Sequence, residues 1–382
     1  MRFLHTADWH LGRTLGGHAL LEEQAALLAE QLPQMVRDTA PDAVLVAGDV
    51  FDRAVPPAEA VRLLDDILSR IVLGLGVPVV LIPGNHDEAR RVSFGARLLE
   101  AARLHIVHAP CGAAIPFADA HGPVTVIGCG YATPMALSRE EAMAGAAFDD
   151  HDGAFAALAP RLHALCGVAG RRRVLVAHAF VAGGAEARDS ERALSVGGSG
   201  QVGADRFEGF HYVALGHLHR PQSLLGGRLR YSGSPFPYSV EEADHAKSVT
   251  LVEMDAAGAV RIEEVPFAPR RRLRVVEGRF AALRDSPPEG REDYVAIVLT
   301  DEAPVPEDQR RLAEVFPRIV ALRYGAERAG PGAFAAPGAE ARAARPLDLF
   351  GRFWAAMRDT PLPEAARPVL VAAIEAAEAE AR

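Results

Sequence analysis

Five short apolar, largely β-branched runs in the first 220 residues each give way at once to Gly, Asp, Asn or His. Residues 2–6 lead into Ala7-Asp8-Trp9-His10, and 43–47 into Gly48-Asp49. Residues 79–82 lead into Pro83-Gly84-Asn85-His86-Asp87, 174–177 into His178, and 212–215 into Gly216-His217-Leu218-His219. Unbroken apolar runs of this length predict strands buried on both faces. Between the first three, 20–37 carries leucines at helical spacing, with Pro33 predicted to kink or break the helix. Residues 57–72 open on a proline suited to a first turn and set Val61, Leu64, Leu68 and Ile71 on one face. Strand, helix, strand implies a parallel sheet, whose ligands sit beyond the carboxyl ends of the strands. All five polar clusters fall at such ends.

Further along, 248–254 and 260–267, joined by Asp255-Ala256-Ala257-Gly258, predict a hairpin that completes the second sheet of a sandwich. Pro269-Arg270-Arg271-Arg272 then marks a boundary. The following pattern is strand (273–276), helix, strand (294–300), helix (307–316), strand (319–323), a small α/β module. Residues 326–345, rich in Gly, Ala, Pro and Arg, predict a linker. Leu347, Phe350, Phe353, Trp354 and Met357 then form an apolar helical stripe with little core left to join. The division expected is therefore 1–268, 269–325, 326–345 and 346–382.

Composition changes this picture little. Of 382 residues, 49% are hydrophobic and 24% charged, as in a protein that buries a real core. No apolar run approaches the roughly 18 to 20 residues that span a bilayer, and Met1-Arg2-Phe3-Leu4-His5 is no secretory leader. Cys111, Cys129 and Cys166, an odd number without paired spacing, predict buried thiols in a reducing compartment. A cytoplasmic protein with no membrane association is expected.

The net charge of -9 argues against a broadly basic surface but leaves room for a local arginine stripe. Arg13, Arg53, Arg90, Arg188, Arg192 and Arg220 lie near the motifs as candidate phosphate contacts, although any one of them is more often a solvated residue. Val196-Gly197-Gly198-Ser199-Gly200 is a weak phosphate-loop candidate, without the lysine or the helix start of one, and is expected to be a mobile loop.

The strand-end donors are Asp8, His10, Asp49, Asn85, His178, His217 and His219. Singly, each has an ordinary explanation: Asp as a turn former or cap, Gly-Asn as a turn, a lone His as a bonded core residue. Five clusters at five strand ends point instead to a metal centre. His5 and His211, within or before the runs, are expected to be structural. Carboxylate, amide and imidazole donors without thiolates suit Mn²⁺, Mg²⁺, Fe²⁺ or Zn²⁺. Seven are too many for one tetrahedral ion but suit two ions if a carboxylate bridges. Such a pair clamps the attacking and leaving oxygens of a phosphoryl displacement and acidifies a shared water.

In order and spacing these motifs resemble those of the calcineurin-like metallophosphoesterases. His5-Thr6-Ala7-Asp8-Trp9-His10-Leu11-Gly12, Gly48-Asp49-Val50-Phe51-Asp52 and Gly233-Ser234-Pro235-Phe236-Pro237-Tyr238-Ser239 more narrowly resemble the SbcD branch, the nuclease subunits of bacterial SbcCD. The resemblance covers Met1 to about Phe267 well and the remainder loosely. It implies a four-layer α/β/β/α sandwich with a small α/β capping domain and a C-terminal helical tail. It also implies two divalent ions, Mn²⁺ first among them: one on Asp8, His10 and His219, the other on Asn85, His178 and His217, with Asp49 bridging. His86 would be the acid or transition-state stabiliser at the leaving 3′ oxygen. Asp52 stands where archaeal and eukaryotic relatives carry histidine. It would orient His86 or a water, or cap the helix that starts near Pro57.

The activity implied is ATP-gated 3′→5′ exonuclease action on double-stranded DNA and endonuclease action on single strands and hairpins. The capping module, with Arg310, Arg311, Arg318 and Arg323, would guide DNA. The terminal stripe would dock on the coiled-coil base of an SbcC-type SMC-like ATPase, in a heterotetramer holding a homodimer of this chain near the nucleoid. Two other expectations compete: a phosphatase or small-molecule phosphodiesterase on the same scaffold, disfavoured by the Gly233–Ser239 segment and the later modules, and a non-catalytic scaffold, disfavoured by the intact donors.

Overall fold

The computed structural model describes residues 1–131, 133–143, 145–167, 172–185, 200–325, 354 and 363. Its principal strands are β1 (Arg2–Thr6), β2 (Ala43–Ala47), β3 (Val79–Ile82), β4 (Leu104–Ile106), β5 (Ala113–Asp119) and β6 (Gly122–Cys129). They continue as β7 (Arg172–His178), β8 (Tyr212–Gly216), β9 (Gln222–Leu224), β10 (Leu229–Tyr231), β11 (Ser248–Met254) and β12 (Val260–Pro266). One six-stranded sheet has the order β12-β11-β1-β2-β3-β4, and the other β9-β10-β8-β7-β6-β5. β1 to β4 are mutually parallel, as are β6, β7, β8 and β10.

Because these strands are apolar on both faces, alternation sorts their residues into separate cores. Phe3, Leu45, Val80, Val126, Val174, Tyr212, Ala214 and Val252 fill the space between the sheets. The alternate residues Leu4, Val44, Val46 and Leu81 face helices α1 (21–39) and α2 (58–74). Leu175, Val213 and Leu215 share the third core with Leu158 and Leu162 of α3 (His151–Leu165). The result is the expected α/β/β/α sandwich.

Three local expectations change. Pro33 does not break α1: the helix widens to π-helical pairing over Ala26–Gln31, and the proline falls in the first turn of the segment that follows. In that wider pairing the amide missing from proline costs no α-helical bond. α2 turns further than its leucine pattern suggests, burying Ala60, Leu63, Ile67, Leu68 and Ile71 and leaving Val61 47% exposed. The β11–β12 hairpin joins the first sheet, with β11 antiparallel to β1, rather than the second. Central β1 offers an open edge there, whereas the second sheet already closes on β9.

The chain forms two compact units, Met1–Leu299 with Val305–Leu322, and Thr300–Pro304 with Arg323–Arg382. The first includes β13 (Leu273–Gly278), α4 (Phe280–Asp285), β14 (Tyr294–Leu299) and α5 (Asp308–Ala313). β13 and β14 pair in parallel, and β15 (Ile319–Tyr324) completes a three-stranded sheet. Leu273 and Tyr294 join the core beneath α1, and Arg271 Nη1 donates to buried Glu23 at 2.6 Å. A hairpin of Thr14–Leu15 and His18–Ala19 sets His18 Nε2 against the Ile319 carbonyl at 3.1 Å. The hydrophobic pattern shows no trace of this hairpin, whose strands are too short to alternate; its Gly16-Gly17 turn has positive φ at both residues. The expected stripe residues Leu347, Phe350, Phe353 and Met357, and the whole linker 326–345, lie outside the described residues. No helix among the described residues is long and apolar enough to cross a membrane.

His5 is structural, as expected. It lies between the sheets, with Nδ1 2.8 Å from Tyr212 Oη, and burial, reinforced by the charge of Arg230, pulls its pKa down to about 3. His211 Nδ1 accepts from the Arg173 amide at 3.0 Å. The folded chain keeps His5 neutral, whereas the unfolded chain protonates it near pH 6.5, so its contribution to stability is present above that pH and is lost as pH falls toward 3. The loss is at most about 1.4 kcal/mol per pH unit. Urea titrations at pH 7.5, 5.5 and 4.5 should show a shallower pH dependence for His5→Gln than for the unmodified chain. Parallel curves would mean that His5 titrates normally in the fold.

Candidate metal centre

The carboxyl ends of β1, β2 and β3 in one sheet meet those of β7 and β8 in the other. The loop after β1 is zipped to the loop after β2: Asp8 N donates to Gly48 O at 3.0 Å, His10 N to Asp49 O at 2.9 Å and Leu11 N to Val50 O at 2.9 Å. Eight described non-glycine residues have positive φ, and four of them are Asp8, His10, Asp49 and His217. A left-handed non-glycine residue costs on the order of 1–3 kcal/mol. The fold therefore tolerates strain where the donors turn inward. Two glycines make the approach close enough. A Cβ on Gly84 would lie 2.2 Å from Asp49 Oδ1, and one on Gly216 would lie 1.9 Å from the Ala47 carbonyl.

The seven expected donors converge. Asp8, His10 and Asp49 are fully buried, and His178, His217 and His219 nearly so. His10 Nε2 lies 3.1 Å from His219 Nε2 and 3.5 Å from Asp49 Oδ2. On the other side His178 Nε2 lies 2.8 Å from Asn85 Oδ1 and 3.5 Å from Asp49 Oδ2, and His217 Nδ1 lies 3.3 Å from Asn85 Oδ1. Asp49 thus belongs to both sides. Among the described His, Cys, Asp and Glu residues, the groups close enough to share an ion are His10, Asp49 and His86, and Asp8, Asp49 and His178. Backbone donors orient the carboxylates: His86 N to Asp49 Oδ1 at 2.9 Å and His217 N to Asp8 Oδ1 at 2.8 Å.

Proton positions test whether the set suits a cation. His178 Nδ1 donates to the Ala47 carbonyl at 2.9 Å, and His219 Nδ1 to Glu242 Oε1 at 3.0 Å. With those protons assigned, a neutral ring at either residue keeps its lone pair on Nε2. One then faces the amide oxygen of Asn85 and the other faces His10. Burial, with the neighbouring His219, His86 and Arg13, holds the His10 pKa well below its ordinary value, so that ring is neutral too. The His10 ring can close its pair by donating through Nε2 to His219, and a cation among these donors would satisfy the remaining lone pairs and carboxylates together. Neutral imidazoles with hard oxygens are the ligating forms for divalent cations, and the residues present fit such ions.

The surrounding positions show what the sequence concealed. Gln24 of α1 donates through Nε2 to the carbonyls of Trp9 (3.0 Å) and His10 (2.8 Å), and Tyr238 Oη donates to the Trp9 carbonyl at 2.5 Å. Asp87 accepts from Val50 N, Phe51 N and Gly84 N at 2.9–3.0 Å. Burial and the Asp49 charge raise its pKa to about 7 against the pull of those donors. Glu242 is fully buried. Burial pushes its carboxyl up, but His219 and Lys247 outweigh it and hold the net value well below the ordinary range. Glu242 and Gln24 carry no local signal, because an acidic residue near a helical turn and a glutamine in a helix are ordinary surface residues.

His86 is buried beside His10, ring centroids 4.6 Å apart, and its Nδ1 donates to the backbone carbonyl of Asp52 at 2.9 Å. The Asp52 carboxylate instead accepts from Arg13 Nη1 at 3.1 Å. The capping role expected for Asp52 is not found: the N-cap of α2 is Pro57, with no side-chain cap bond. Asp52 reaches His86 through its main chain, because its side chain is drawn toward Arg13. Arg13 also lies over the Tyr238 ring, 5.4 Å from its centroid. Arg53, Arg90 and Arg220 are exposed, and Arg188, Arg192 and the loop 196–199 lie outside the described residues.

Comparison with known proteins agrees with this geometry. Residues 1–221 match the calcineurin-like phosphoesterase family, and residues 269–358 match the domain described as type 5 capsule protein repressor C-terminal domain. The chain is 30% identical over 327 residues to the SbcD subunit of the nuclease SbcCD from Staphylococcus saprophyticus, covering 84% of each protein. Among solved structures it is similar to TT1561 of Thermus thermophilus (14% identity, TM-score 0.38, 69% of this chain and 98% of that one). It is also similar to YfkN of Bacillus subtilis (12% identity, TM-score 0.35, 70% and 89%). With the family match spanning more than half its length and the staphylococcal relative covering most of the rest, the chain belongs to the calcineurin-like phosphoesterases and, within them, to the SbcD group.

Proposed function

We propose that the chain is a metal-dependent DNA phosphodiesterase, the nuclease subunit of an SbcCD-type complex. The observation that carries this reading is Asp49, which stands between two facing sets of imidazole and oxygen donors. Asp8, His10 and His219 would hold one cation and Asn85, His178 and His217 the other, with Asp49 shared and Mn²⁺ the expected metal. Bound there, the pair would supply Lewis acidity to the phosphodiester and would make a water more acidic. Asn85 contributes an oxygen without a charge, leaving the site more electrophilic than a third carboxylate would.

His86, its Nδ1 proton engaged by the Asp52 carbonyl, gives or takes a proton at Nε2. Its task is to neutralise the departing 3′ oxygen. DNA as substrate and an SbcC-type SMC-like ATPase as partner rest on the relative's identity. By the family resemblance of its motifs, the chain would work in the cytoplasm near the nucleoid, as a 3′→5′ double-strand exonuclease and a single-strand or hairpin endonuclease gated by ATP. Exposed Arg53, Arg90 and Arg220 are suited to phosphate contacts, and the β13–β15 module to guiding the duplex. The segment 346–382 would bind the partner.

The same reading includes a homodimer. Val61, Leu73 and Phe94 are 47%, 74% and 86% exposed around a groove lined by Leu64, Leu68, Val72 and Leu99, and the neighbouring Leu98 in the chain is 82% exposed. A cluster of this kind on one face favours burial against a second copy.

Three outcomes are expected. With Mn²⁺ and partner, the chain should cut duplex and hairpin DNA and a chromogenic phosphodiester. Chelation should abolish cutting and Mn²⁺ should restore it, whereas turnover of phosphomonoesters alone would make it a phosphatase. His86→Ala should lower kcat by about 10²–10⁴ while metal analysis still finds two ions per chain; a parallel loss of metal would move His86 among the ligands. Phe94→Glu with Leu98→Glu should turn a dimer into a monomer by light scattering, and an unchanged mass would place the interface elsewhere.

A further inference from the structure

Of the 41 basic side chains of the Lys and Arg type, one alone is a lysine, Lys247. It is buried, and its ammonium meets three acceptors: Glu242 Oε2 at 2.5 Å, Ser234 Oγ at 2.9 Å and the His219 carbonyl at 2.9 Å. An ammonium carries three donors on one nitrogen, whereas the donors of a guanidinium are spread around a planar fork. Three acceptors converging on a single point therefore select lysine in a chain that otherwise uses arginine.

Each of these contacts leads back to His219. The second oxygen of Glu242 accepts from His219 Nδ1 at 3.0 Å. Ser234 N donates to the His219 carbonyl at 3.1 Å, and Ser234 Oγ donates to the Phe236 carbonyl at 2.8 Å. The Gly233–Ser239 segment, visible in the sequence as a lineage signature, is thus the wall against which His219 is held.

We propose that Lys247 is a positioning residue for the cation assigned to His219. Through Glu242 it keeps the ring proton on Nδ1 and the Nε2 lone pair toward the site, and through the main-chain carbonyl it fixes where the ring starts. The proposal rests on the two-cation reading and deepens it. Without Lys247 the buried Glu242 carboxylate has no compensating charge. Glu242 then turns away or admits water, and His219 loses the acceptor that sets its tautomer.

Being the sole lysine, Lys247 can be watched in the unmodified full-length chain. Selective ¹⁵N-lysine labelling should give one slowly exchanging Nζ resonance. Titration with Mg²⁺ or Zn²⁺ should shift it with the midpoint of one of two calorimetric binding events. A resonance indifferent to both cations would overturn the proposal. Lys247→Arg and Lys247→Met should each weaken one of the two cations about 10–100-fold and leave the other unchanged. Glu242→Gln with Lys247→Met removes both buried charges yet keeps an amide oxygen for Nδ1–H, and should bind more tightly than Lys247→Met alone. Affinities equal to those of the unmodified chain throughout, or strictly additive effects, would also overturn it. An unmodified chain that binds no cation would instead overturn the two-cation reading, and this inference with it.

Discussion

Around Asp49 the two sheets bring together imidazole, amide and carboxylate groups that are rich in lone pairs and poor in protons. Two imidazole nitrogens stand 3.1 Å apart on one side, and a ring nitrogen stands 2.8 Å from an amide oxygen on the other. This crowding of acceptors in a buried site is the constraint that the surrounding structure serves. Positive charge placed among them would be held by every donor together. The strained backbones of Asp8, His10, Asp49 and His217 follow from the same demand, since each must turn sharply at a strand end to point inward.

The support comes in two forms. Main-chain groups hold the donors where they can: paired loops after β1 and β2, amides on Asp8 and Asp49, and carbonyls on His178 and His86. Where no main-chain group is in reach, buried side chains substitute. Gln24 and Tyr238 secure the Trp9–His10 turn, and Glu242 with Lys247 secures His219. The imidazoles of His86, His178 and His219 are thereby tied at Nδ1 by groups from other parts of the chain, which sets their tautomers.

The fold explains why this convergence is possible. Strands apolar on both faces can be covered by helices outside and by a second sheet inside, so their carboxyl ends open at one edge of a sandwich. The same chain leaves an apolar face of α2 and the following turns uncovered, with Val61 and Phe94 exposed. That face is not needed for the core, which closes on Leu63, Ile67 and Ile71 instead.

The sequence alone was enough to locate the strands, their parallel order and the seven donors, because runs of β-branched residues ending in Gly, Asp or His are local signals. It also separated His5 and His211 from the donors by their position within the runs. Which sheet the β11–β12 hairpin joins, how Pro33 is absorbed and which face of α2 is buried depended on contacts between segments far apart in the chain. Glu242, Gln24 and Lys247 were illegible for the same reason: their meaning lies in what they touch. Asp52 carried a local expectation, a helix cap, and only the tertiary structure showed its side chain turned to Arg13 and its carbonyl to His86. Local pattern decides which residues can be buried or can bind, and only long-range packing decides which partners they meet.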